Sequence, residues 1–74
     1  MKLTETDIYT QHIFTNKITN FKSLRQACQH IYNLSKEEQE VTLLCIGNWN
    51  LDYIKCKETL EDYYNRMKNM AQKI

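Results

Sequence analysis

Apolar positions recur at helical intervals along most of the chain. Phe21, Leu24, Ala27, Cys28 and Ile31 keep the i, i+3, i+4, i+7 spacing that lays one stripe on a helix. Asn20 or Ser23 suits the cap of the first turn, where a side-chain oxygen accepts from unpaired backbone N–H groups. Leu34 closes this element. Ser35 and Glu38 then stand at the capping-box interval. Val41, Leu44 and Cys45, flanked by Leu43 and Ile46, read as the broad apolar face of a second helix, ended by Gly47 in a left-handed cap. Asn50 suits the cap of a third element with Leu51 and Ile54. Leu60, Tyr64, Met67, Ala71 and Ile74 make a further stripe, with Thr59 and Asp62 at its start.

The first twenty residues lack this rhythm. The run IYTQHIFTNKIT is rich in β-branched residues and alternates weakly. Strand spacing groups Ile8, His12 and Phe14, whereas helical spacing groups Tyr9, Ile13 and Lys17. The pattern therefore predicts an all-α fold, a compact bundle of three or four short helices. One domain spans residues 1–74, with residues 1–19 as an arm or short strand.

A chain of 74 residues buries only about 60% of the surface its unfolded form exposes, so dimerisation or docking on a larger partner is expected. The absence of proline and the single glycine favour helices over a turn-rich sandwich. Three cysteines, an odd number, suit reduced thiols. MKLTETDIYT lacks a signal-peptide pattern, and LLCI is too short to span a bilayer. A soluble protein of the cytoplasm, without membrane association, is expected.

Net charge is +1, but the charges lie in blocks. Lys17, Lys22, Arg25 and Lys36 come with no acid among them, and Glu37, Glu38 and Glu40 follow at once. Asp52, Glu58, Glu61 and Asp62 come later.

Four kinds of chemistry are weighed against these residues. Zinc sites take paired ligands from one tight turn, a spacing that Cys28, His30, Cys45, Cys56 and His12 do not offer. No metal and no cofactor is expected. Cys28 and His30 fall on different faces of their helix, and no glycine-rich phosphate loop exists, so the chain reads as no enzyme. The segment SLRQACQHIYNLSKEEQEVTLL has the punctuation of a helix-turn-helix, but Lys36, Glu37, Glu38 and Gln39 would enter the groove. Carboxylates there oppose a polyanion. Tyr53 and Tyr63 are candidate surface anchors, while Trp49 and Tyr64 read as core.

Residues 21–64 resemble the helical middle region of ArdA-type antirestriction proteins. The shared features are the Leu24 and Ile31 stripe, Leu34 before the acidic KEEQE, an apolar helix ending near Leu44, the aromatic Trp49 and a further acidic helix. The resemblance implies a non-enzymatic protein of phages or mobile elements that inhibits a host defence protein, restriction or CRISPR machinery, in the host cytoplasm. It implies a partner with a basic nucleic-acid-binding channel. The carboxylates it puts forward are Glu37, Glu38, Glu40, Asp52, Glu58, Glu61 and Asp62, converging on one helical face. Two alternatives stand beside this reading. One is a small DNA-binding regulator using Lys17, Lys22, Arg25 and Lys36. The other is an assembly subunit that forms a homodimer through the stripe of residues 60–74.

Overall fold

The structure, a computed structural model, describes residues 8–72. Along the chain run β1 (Ile8–His12), β2 (Ile18–Phe21), α1 (Leu24–Tyr32), α2 (Lys36–Val41), β3 (Thr42–Ile46), β4 (Trp49–Asn50) and α3 (Leu60–Gln72). The strands form one antiparallel sheet in the order β2-β1-β3-β4. The fold is thus mixed α/β, and the expected all-α bundle is corrected.

Register explains the two faces of the sheet. Ile8 pairs with Phe21 and Ile46, and Thr10 with Thr19 and Leu44, so these residues share one side. That side is the inner one. Ile8, Leu44 and Ile46 join Ala27, Cys28 and Ile31 of α1 and Tyr63 and Met67 of α3 in a single core. Leu51 and Ile54, from the irregular segment before α3, complete it. Tyr9, Gln11, Ile18, Asn20, Leu43 and Cys45 lie on the outer side. Cys45 is nevertheless fully buried, its thiol donating to Asn50 Oδ1 at 3.4 Å across the β3–β4 pair.

The helices predicted around residues 24–31 and 60–71 are present, because their stripes bury a single face. Ser23 accepts from the Gln26 N–H, and Thr59 from the Asp62 N–H, as caps. Ser35 accepts from the Glu38 N–H, but the Glu38 side chain turns away from the second half of the capping box. The second helix is only six residues long and passes directly into β3.

Residues 42–46 are a central strand with neighbours on both sides, so nearly every position is buried. A short apolar run of this kind satisfies helix and strand alike. Gly47 keeps the left-handed backbone assigned to it, φ 58°, but in the two-residue loop between β3 and β4. Asn50 sits in β4 and caps no helix. The N-terminal strand is β1. Residues 1–7, the rest of the expected arm, and Ile74 of the last stripe lie outside the described residues. No helix among the described residues is long and apolar enough to cross a membrane.

Candidate functional site

One end of the sheet gathers polar chemistry from three elements. His12 ends β1, the loop of residues 13–17 turns back into β2, and α2 packs beside that loop. Asn16 takes the left-handed position in the turn, φ 61°, which asparagine tolerates better than most residues. His12 Nδ1 accepts the N–H groups of Phe14 and Thr15, each at 3.3 Å. The neutral ring therefore carries its proton on Nε2, which lies 3.7 Å from the Glu38 carboxylate. The Ile13 N–H donates to the Val41 carbonyl at 2.9 Å, and the Thr42 hydroxyl to the Glu38 carbonyl at 2.7 Å. Hairpin tip and acidic helix are tied together.

Between them opens a cleft of about 160 Å³, edged by His12, Lys17, His30 and Glu38, with Thr10 and Thr42 buried behind. Two imidazoles, an ammonium and a carboxylate can receive a polar side chain from outside. No cluster of three or more His, Cys, Asp or Glu with metal-binding geometry forms among the described residues. The hairpin beside the cleft carries exposed apolar side chains. Phe14 is 75% exposed, with Ile13 and Ile18 also exposed nearby in the same hairpin.

The seven carboxylates singled out by sequence fall into separate groups. Glu37, Glu38 and Glu40 fan around α2, Glu38 toward the hairpin and Glu40 toward a shallow pocket shared with Lys36 and Lys57. None of the three makes an ion pair with a lysine or arginine among the described residues.

Asp52 and Glu58 belong to Arg66. Its Nε and Nη2 donate to Glu58, both at 2.8 Å, its Nη1 to Asp52 at 2.7 Å, and Nη2 also to the Tyr53 carbonyl at 2.8 Å. This clamp fixes the segment before α3 onto that helix. Bonding to Arg66 holds the Glu58 carboxyl below its ordinary pKa and raises that of Arg66. Glu61 pairs with Arg25, whose guanidinium lies 5.2 Å from the Tyr64 ring centroid. Asp62 is exposed at the start of α3. The single acidic face does not form.

Tyr63 is fully buried, its hydroxyl donating to the Asp52 carbonyl at 3.0 Å, so it is core and not a surface anchor. Tyr53 is half-buried. Trp49, read as core, is 54% exposed at the sheet edge. The cations of the DNA-binding alternative are spread along the molecule. Lys22 and Arg25 flank the start of α1, whereas Lys17 stands at the opposite end of the sheet and Lys36 beside Ile54 and Lys57, and Arg25 already holds Glu61.

His12, Phe14 and Arg66 were not singled out by sequence. The weak strand alternation before the Thr-Asn-Lys turn could have exposed the first two, since it puts a histidine and an aromatic at a hairpin tip. Arg66 reaches Glu58 and Asp52 over eight and fourteen residues, beyond any local spacing rule. No protein-family model, curated protein or solved structure matches the chain.

Proposed function

We propose that this protein works without catalysis, by binding a basic surface of another protein and blocking it. The contact is the hairpin tip with α2: Phe14 is the apolar anchor, and Glu37 and Glu38 supply the charge. One observation carries this reading. The fold brings a 75% exposed phenylalanine to the same end as carboxylates that no described lysine or arginine neutralises. An exposed aromatic beside carboxylates without a lysine or arginine partner is the composition of an interface anchor with its steering rim. Asp52, Glu58 and Glu61 hold the fold together and leave the contact. A host nuclease with a nucleic-acid channel, of the restriction or CRISPR kind, fits the required basic surface.

The test compares immobilised wild type, Phe14→Ala and Glu37→Lys/Glu38→Lys in lysate from the native host. A species retained by wild type and lost by both variants, whose circular dichroism is unchanged, supports the surface. Equal retention by all three overturns it. Purified wild type is also expected to inhibit DNA cleavage by the captured nuclease, and uninhibited cleavage removes the blocking role.

A further inference from the structure

β2 is an edge strand, with no described strand beyond it. Its free side can be read from the ladder. The His12 N–H bonds to the Lys17 carbonyl, so this opposed pair is of the hydrogen-bonded kind. Such pairs alternate in an antiparallel ladder. Thr10 with Thr19 and Ile8 with Phe21 are therefore bonded across β1–β2, in keeping with the Ile13 N–H turning to Val41 on the β3 side. The N–H and C=O of Ile18 and Asn20 then point outward. Together they offer two donors and two acceptors to an incoming chain.

Charge decides which chain that is. Lys17 and Lys22 bracket the strand, both exposed and without an ion pair among the described residues. A second copy added antiparallel, with Ile18 bonded to Asn20 about a two-fold axis at Thr19, would set Lys17 opposite Phe21 and Lys22 opposite Asn16, leaving all four lysines without a carboxylate. Exposed lysines on an edge strand keep identical edges apart. An extended segment with a carboxylate at each end would instead meet an ammonium at each end.

We propose that β2 is a docking edge for an acidic, extended segment of a partner protein, added as a fifth strand antiparallel to β2. Lys17 and Lys22 are five residues apart and so project to opposite faces of the sheet. The fitting segment therefore carries its acids five residues apart, with β-branched residues between them. This surface shares Lys17 with the hairpin end and otherwise runs along the free side of β2, and its partner need not be the same protein.

The probe is the hexapeptide Glu-Thr-Val-Thr-Val-Glu titrated into the isotopically labelled full chain, read by backbone amide NMR. The largest shifts are expected at the amides of Ile18 and Asn20. The same peptide with lysine at both ends should bind about tenfold more weakly, from two cross-strand pairs changed in sign. Lys17→Glu/Lys22→Glu should reverse that preference. Asn20→Pro removes one outward donor at an edge position that tolerates proline, and should abolish the shifts. Equal binding of both peptides to wild type overturns the proposal. So do shifts centred on the cleft or on Leu43, or a wild-type dimer whose interface maps to Ile18 and Asn20.

Discussion

Arg66 is the residue on which the C-terminal third is assembled. Its guanidinium meets two carboxylates and a carbonyl while only 24% of the side chain is exposed. Arg66→Met keeps the aliphatic stem but leaves Asp52 and Glu58 unpaired. A loss of about 1.5–3 kcal/mol in urea unfolding is expected, the range for hydrogen bonds to charged groups. The same clamp sets an acid limit. Glu58 titrates lower in the folded chain than its ordinary value of 4.5, so its contribution is complete above that pH. It is lost as pH falls through the lower folded value, and Arg66→Met should flatten that limb of a stability–pH curve. Cys28 sets the alkaline limit with the opposite sign. Burial pushes its thiol from 9.0 up to about 12, so the neutral form favours folding below pH 9 and that advantage fades between 9 and 12. A thiol reagent at neutral pH should label exposed Cys56 at once, and Cys28 and Cys45 only on unfolding.

Among the elements, β3 shows why sequence and structure parted. Helices α1 and α3 were legible because each buries one stripe and exposes the rest, a contrast that periodicity records. In β3 the inward residues Thr42, Leu44 and Ile46 are buried, while on the outer side Leu43 is partly buried and Cys45 fully buried, so polar contrast vanishes. Gly47 was legible as a left-handed residue, though not as a hairpin turn rather than a helix end. Both sites use the same backbone. The left-handed backbone of Gly47 is testable. Gly47→Ala forces a β-carbon into φ 58° and should cost about 1–2 kcal/mol, or roughly 4–8 °C in Tm per kcal/mol for a domain of this size. Leu44→Ala, a fully buried position where β3 meets the core, should cost about 2–5 kcal/mol. A surface-like loss at Leu44 would remove β3 from the centre of the sheet. The candidate site was legible only in part. Glu37, Glu38 and Glu40 were visible as a charged run, but His12, the partner of Glu38, lies twenty-six residues away and reaches it only when β1 pairs with β3.

At the scale of the whole molecule, a net charge of +1 conceals an uneven distribution. Arg66, half-buried, holds Asp52 and Glu58, and Arg25 pairs with Glu61 on the surface, which leaves the α2 acids to face outward at the hairpin end. A partner bound by the proposed contact would feel the carboxylates at long range and Phe14 only on contact. The two should therefore separate in kinetics. Exposed rim charges act mainly on the encounter, so Glu37→Lys/Glu38→Lys should lower the association rate with the captured partner and remove most of its salt dependence. Phe14 gives up a large exposed area on docking, so Phe14→Ala should raise the dissociation rate, about tenfold or more, with little change in association. Surface-immobilised kinetics at low and physiological ionic strength reads both effects from one set of traces. Association that ignores salt in the wild type would mean that the α2 carboxylates do not face the partner. An unchanged off-rate for Phe14→Ala would move the anchor elsewhere on the molecule, with Trp49, exposed at the far edge of the sheet, the next aromatic to test.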